Sequence, residues 1–337
     1  MANGKWPGDA GRSHMHDASR VPLLMTAPVK HVWIALLVVY VVWGSTYFGI
    51  KIAVETIPPL LAAGSRFLVA GLLLAALLAW RGTSIRVTRA ELGASAVAGV
   101  LLLGLGVGLV HVAETRIDSS VAAMIAGTVP LQIIALRLLA GDSPARATRL
   151  STLAGLVGLL LVVAPGLGAG STALGLAVMI SATMSWTLGS FLSKRLPLPS
   201  DPFVASVYEM GLAGAFLMVG AAAFGEYGEL GSGTFALDSV LAWVYLVVMG
   251  SVIGFSAYAW LLGVAPISLV VTHQYVNPLV AIALGMAFLG ERPSPWALAG
   301  AALVIGAVYV AIKSEFQTDP ARPASTAPRR TPADQAA

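Results

Sequence analysis

Trp43-Gly44-Ser45-Thr46-Tyr47-Phe48-Gly49-Ile50-Lys51 returns later in the chain as Trp186-Thr187-Leu188-Gly189-Ser190-Phe191-Leu192-Ser193-Lys194. Trp43, Phe48 and Lys51 fall on Trp186, Phe191 and Lys194 at a constant step of 143 residues. The same step carries Pro59 to Pro202 and Gly71 to Gly214. Further along, a step of 148 pairs Gly106 with Gly254, Ser120 with Ser268 and Pro130 with Pro278. Internal duplication on this scale, in a very apolar chain, points to a membrane protein of two like halves with a substrate site between them.

Composition sets the class. Hydrophobic residues make up 57% of the chain and charged residues 11%, against about 25% charged in soluble domains. Too few charges remain to cover a globular surface, so lipid must solvate much of it. The 36 glycines suit close helix–helix approach. With no cysteine, disulfides, thiolate metal sites and cysteine nucleophiles are all excluded. The net charge of +4 lies in short loops and tails and does not indicate nucleic-acid binding. No HExxH, G-x-S-x-G or GxxxxGK[ST] pattern is present, so no catalytic residue, cofactor or metal is assigned.

Apolar stretches cover residues 32–54, 59–80, 90–112, 117–140, 148–165, 172–193, 203–224, 239–262, 266–290 and 295–313. Each approaches the roughly 20 residues that cross a hydrocarbon core of about 30 Å as a helix. The expected fold is an all-α membrane protein with ten transmembrane helices. Residues 1–30 read as a disordered leader, 31–165 and 171–313 as the two five-helix repeats, and 314–337 as a disordered tail. The apolar run after the leader is too long for a signal peptide's h-region.

With the N-terminus inside, the inner loops hold seven bases: Arg81, Arg86, Arg89, Arg146, Arg149, Lys194 and Arg195. The outer loops hold three, Lys51, Arg116 and Arg292. That bias follows the positive-inside rule and places both termini in the cytoplasm of a multi-pass inner-membrane protein. Five is odd, so the second half starts from the opposite side and runs inverted, as alternating access uses.

Trp43-Gly44-Ser45, Lys51, Ile57-Pro58-Pro59 and Arg66-Phe67 in the first half, with Asn277-Pro278, Gly290-Glu291, Gly300 and Gly306 in the second, resemble EamA-type members of the drug/metabolite transporter superfamily. The resemblance runs from about residue 32 to 313. It implies a ten-helix basket of two inverted five-helix repeats that exports small metabolites or drugs. Family members carry Pro followed by Gly-Glu in helices 4 and 9. The second copy conforms at Pro278 and Gly290-Glu291, whereas Pro130 is followed by Gly141-Asp142, one residue closer.

Candidate functional residues are polar or helix-breaking groups inside apolar spans. Pro130 and Pro278 fall about 12–13 residues into their helices, roughly 18–20 Å deep. Each kink frees a carbonyl four residues earlier, Ala126 or Gln274, and either lines a cavity or is purely structural. His273, Gln274 and Asn277 share one side of helix 9, as a hydrogen-bonding cavity wall or as helix–helix contacts. His273 is also a candidate proton carrier. Arg66 can hold a substrate carboxylate or bond to main-chain carbonyls. Its repeat equivalent Glu209 is a proton-coupling candidate or an inner-vestibule charge. The two should lie roughly 10 Å apart along the membrane normal, too far for an ion pair.

Trp43, Tyr47, Trp186 and Tyr258 can stack on substrate, or anchor helix ends at the interface. Gln132, two residues after Pro130, is a candidate for the first-half wall. His111 reads as interfacial, Lys51, Lys194 and Arg137 as snorkelling to headgroups, and Gly104 and Gly108 as helix-packing positions. The reading is a secondary transporter that exports small organic metabolites, amino acids or related compounds, or amphipathic drugs by alternating access. Its partners are a small-molecule substrate and the lipid bilayer, with a homodimer left open. An intramembrane lipid-modifying enzyme or a non-transporting receptor is the alternative.

Overall fold

The computed structural model describes residues 27–117, 119–142, 144–163, 172–231, 235–277, 279–280 and 295–317. Among them there is helix and no strand. Six helices are long and apolar enough to cross a membrane: α1 (Val29–Ala53), α2 (Pro59–Trp80), α3 (Arg89–Glu114), α7 (Ala173–Ser193), α8 (Pro202–Ala223) and α9 (Leu237–Val264). Between and beyond them lie α4 (Ser119–Ala126), α5 (Val129–Leu139), α6 (Arg146–Val163), α10 (Ile267–Val270) and α11 (Pro295–Gln317). Helix α1 begins inside the expected leader and α11 runs past the expected boundary at 313. Residues 1–26 and 318–337 lie outside the described residues.

Local chemistry sets the helix boundaries. Pro59 and Pro202 open α2 and α8, where a missing N–H is no loss. Asp201 caps α8 by accepting from the Phe203 and Val204 N–H groups at 2.8 and 3.4 Å. Thr88 and Glu91 form a reciprocal capping box on α3. Gly82 and Gly225, at φ +73° and +78°, terminate α2 and α8 in the left-handed conformation that favours glycine.

Two differences from the expected spans concern prolines. The stretch 117–140 is not one helix, because α4 stops at Ala126 and α5 starts at Val129 after a turn at Gly127 and Thr128. Pro130 has no N–H for the Ala126 carbonyl and sits in the first turn of α5. In the second half, α10 is followed by a turn at Val271 and Thr272 and by helix at 273–277. Pro278 itself lies outside the described residues, as do Gly290 and Glu291.

Helices α2 and α8 are antiparallel and in close contact. An added Cβ on Gly64 would stand 3.0 Å from Met218 Sδ, on Gly214 2.8 Å from the Leu68 nitrogen, and on Gly71 3.2 Å from the Gly211 nitrogen. Positions ascend one helix as they descend the other, and the crossing is centred on both. Helices α6 and α11 are antiparallel too: Gly158 meets Gly300 and Val304, and Thr148 bonds Ser314 at 2.9 Å. Both α3 and α9 carry a π-helical segment, Val100–Val107 and Leu246–Phe255, a feature frequent at functional sites. Outward-facing Leu72, Val219 and Ile305 are 61–70% exposed, which suits a surface solvated by lipid.

Candidate functional site

A cavity lies between α1, α2, α3, α4, α5, α7, α9 and the 273–277 helix. The π segments shape it. In α9 the Gly250 carbonyl is turned towards α1 and accepts from Trp43 Nε1 at 3.0 Å. A Cβ on Gly250 would stand 2.7 Å from Arg66 Nη2, and one on Gly254 2.5 Å from Trp43 Nε1. Only glycine leaves room for both side chains.

The cavity floor is aromatic. Trp43 stands edge-on to Trp186, with centroids 5.3 Å apart, and both rings contact Tyr258 at 4.9 and 5.1 Å. Phe255 borders this cavity and also a wider vestibule on the far side of the cluster. Glu209, Arg137, Lys194 and Arg195 line that vestibule. The aromatic layer therefore separates two compartments.

Polar atoms converge on the cavity. Arg66, 3% exposed, donates Nε–H to Ser251 Oγ at 2.8 Å, and its Nη1 has no partner. Trp186 Nε1 and Asn277 Oδ1 are also buried without partners. Gln274 Oε1 accepts from Tyr47 Oη and Asn277 Nδ2, both at the long limit of 3.5 Å. Leaving a buried polar group unpaired costs about 1–3 kcal/mol. Three residues with unpartnered polar atoms line one cavity, which marks it as a candidate site for a ligand with complementary groups.

The EamA-like transporter family model matches residues 31–164 and 173–313. The chain belongs to the EamA-like transporter family. It is 36% identical over 290 residues to the inner membrane transporter YedA of Escherichia coli K12, described as uncharacterized, covering 86% of this chain and 92% of that protein. It is 26% identical over 306 residues to a probable amino-acid metabolite efflux pump of Salmonella typhimurium, covering 83% and 94%. A solved crystal structure shares the fold with TM-score 0.67 at 18% identity, covering 86% of this chain and 98% of that one. The protein is thus a multi-pass membrane protein of a transporter family.

Within this EamA-like fold the candidate residues divide. Trp43, Tyr47, Arg66, Trp186, Gln274 and Asn277 line the cavity together. Tyr258 lies beneath it, fully buried, its hydroxyl 2.6 Å from Ser190 Oγ. His273 borders neither compartment. Its ring packs against Trp43 and Tyr258, Nδ1 lies 2.8 Å from the Val270 carbonyl, and Nε2 is buried without a partner. Gln132 is engaged between α5 and α7: Nε2 donates to Thr128 and Thr183 Oγ1, and Oε1 accepts from Thr187. Pro130 is buried beside the wall, to which Ala126 and Val129 contribute. Glu209 faces the vestibule and, among the described residues, makes no hydrogen bond or ion pair.

Four expectations change. His111 is fully buried rather than interfacial, with Nδ1 2.9 Å from the Val107 carbonyl and Nε2 unpartnered. Lys51 and Lys194, read as snorkelling, place their ammonium groups on the main-chain carbonyls of Glu114 and Ala265. Arg137 is buried, pairs with Asp142 at 2.7 Å and also bonds Ser268. For Lys51, Lys194 and the Arg137–Ser268 bond the acceptor belongs to a segment distant in sequence, which the residues around each do not reveal.

Sequence reasoning also missed residues. Ser251 orients Arg66, Phe67 and Phe255 supply apolar wall, and Glu114 is completely buried at the end of α3. The available signal for Glu114 was helical spacing from cavity positions of α3, visible only once those positions were known.

Proposed function

We propose that this EamA-like protein is a secondary transporter for small amphipathic organic solutes that carry a carboxylate, amino acids or related metabolites among them. Arg66 would engage the carboxylate, Asn277 and Gln274 a donor group, and the tryptophans and phenylalanines the apolar part. The observation that carries this reading is the set of unpartnered polar atoms, Arg66 Nη1, Trp186 Nε1 and Asn277 Oδ1, buried on one aromatic cavity. The efflux-pump name of the Salmonella relative supports export and an amino-acid-like substrate.

The working architecture is ten helices in two inverted repeats, 31–165 and 171–313, in the inner membrane with both termini cytoplasmic. Support comes from the two family-matched stretches, from the antiparallel pairs α2–α8 and α6–α11, and from the two lysines. Lys51 Nζ reaches the Ile117 carbonyl and Lys194 Nζ the Ala265 carbonyl. These contacts superpose under the repeat steps of 143 and 148, at opposite ends of the molecule. The repeats would rock about the aromatic layer, opening the cavity and the vestibule in turn. Glu209 and His273 stay candidates for proton coupling.

The test is counterflow in proteoliposomes, with radiolabelled amino acids, aromatic carboxylates and cationic amphiphiles as probes. Carboxylate-bearing solutes should exchange, and Arg66→Ala should lower their flux at least tenfold while the protein still folds; tenfold corresponds to about 1.4 kcal/mol. Absence of flux for every carboxylate-bearing probe, with the helical fold verified, overturns the reading.

A further inference from the structure

The cavity-facing stripe of α3 continues past the cavity. Leu103, Gly106, Val107 and Val110 line it, and helical spacing brings Glu114 next, one turn beyond Val110. Glu114 is fully buried, and neither carboxyl oxygen has a hydrogen-bond partner. Lys51 comes close but directs its ammonium elsewhere. Its Nζ donates to the main-chain oxygens of Glu114 at 2.7 Å and Ile117 at 3.4 Å. Those bonds latch the end of α1 to the turn after α3 at one end of the cavity, whose wall includes the neighbouring Ile50 and Val110.

Among the described residues, no donor reaches the carboxyl oxygens, and α9 brings Tyr245 to this end, packed with Val110 beside Ile50 and Ala53. From α1 the titratable groups at this end are Lys51 and Tyr47, and from α2 Arg66, which lies within charge range of His111. On α3 itself His111 stands one turn earlier, bonded to Val107. Helices α4 and α7 carry no titratable side chain within 119–126 and 173–193. Arg116 is exposed, and Asp118 lies outside the described residues. An ionised carboxylate without donors is strongly disfavoured in such a place. At the other latch, Lys194 to Ala265, the repeat equivalent of Glu114 is Leu262. Only one of the two ends carries the acid.

We propose that Glu114 is a proton-binding site that operates the Lys51 latch. With the carboxyl protonated, Lys51 stays on the carbonyls and this end of the cavity is closed. When the O–H bond breaks and the proton passes to water at that end, the carboxylate draws the ammonium onto itself and off the carbonyls, and the turn after α3 is released from the end of α1. The use of this step in transport rests on the alternating-access reading above, while the latch itself can be tested without a substrate.

The chain lacks cysteine, so Val110→Cys places a single thiol on the cavity wall. Its labelling rate by a membrane-impermeant maleimide is measured from mildly acid to mildly alkaline pH, alone and combined with Glu114→Gln. The ratio of the two rates cancels the thiol's own ionisation. It should rise with pH by about tenfold, and Glu114→Asp should preserve the rise. Combined with Lys51→Met, Val110→Cys should label rapidly at every pH. A flat ratio, or slow labelling in the Lys51→Met background, overturns the latch. A rising ratio without solute flux in the counterflow assay keeps the latch and discards transport; flux with a flat ratio does the reverse.

Discussion

Glu226 belongs to the loop after α8, yet it caps α2. Its two carboxyl oxygens accept from the Leu60 and Leu61 N–H groups at 3.1 and 2.8 Å, donors that the helix cannot satisfy itself. The carboxylate also faces the positive end of the helix dipole. Burial nevertheless raises its pKa above the ordinary carboxylate value, with the two backbone donors opposing the rise and Glu229 adding to it. An acid whose folded pKa is raised holds its proton longer folded than unfolded. Its contribution to stability is therefore fully present in acid and declines as pH climbs from the ordinary carboxylate range through the raised value. Replacement by Gln should flatten that part of the pH–melting curve, and Glu226→Ala should lower stability by about 0.5–2 kcal/mol, both read by thermal unfolding in detergent. Arg66 and Asn277 are legible in the sequence because polar groups are rare in apolar spans. Glu114 is not, because an acid near a span's end is usually wet.

At the scale of elements, glycines decide which helices touch. A Cβ on Gly99 of α3 would stand 2.4 Å from the Glu209 carbonyl oxygen of α8, so Gly99→Ala must push the two helices apart. Overpacking of this kind costs about 1–3 kcal/mol. Gly93, on the same helix, has nothing within 4 Å, and Gly93→Ala should instead gain about 0.5–1 kcal/mol from helix propensity. Opposite shifts in the melting temperature of the two variants are the expected result. Gly104 and Gly108 behave likewise, abutting Phe216 and Leu217 of α8. Their spacing announced a packing face, but the identity of the partner helix came only with the fold. The break between α4 and α5 was half legible: Pro130 predicted a kink, and the structure shows a full interruption.

The whole molecule has two ends and a partition between them. Tyr208 Oη donates to the Ile85 carbonyl at 2.6 Å, and Lys194 lines the vestibule with Pro202. The loops near Arg81 and Lys194 therefore share one end. The loop that holds Glu226 lies with the start of α2 at the other end. Reporter fusions after Gly82 and after Arg195 should accordingly report the same compartment, cytoplasmic by the loop charges, and fusions after Thr56 and Gly228 the opposite one. Any other pattern contradicts the insertion of these helices in a single bilayer. The partition of Trp43, Trp186, Tyr258 and Phe255 draws on α1, α7 and α9, and its members come from both family-matched stretches.

From residue order alone came the membrane class, most helix boundaries and the short roster of polar groups in apolar spans, because hydropathy and proline act locally along the chain. What required the folded molecule was the direction of each side chain. Six candidates met on one cavity, His273 and Gln132 did not line it, His111 was buried, and Lys51 and Arg137 found partners far off in sequence. A helix position specifies a face, and only the packing of other helices against that face determines whether it meets lipid, water, a carbonyl or a ligand.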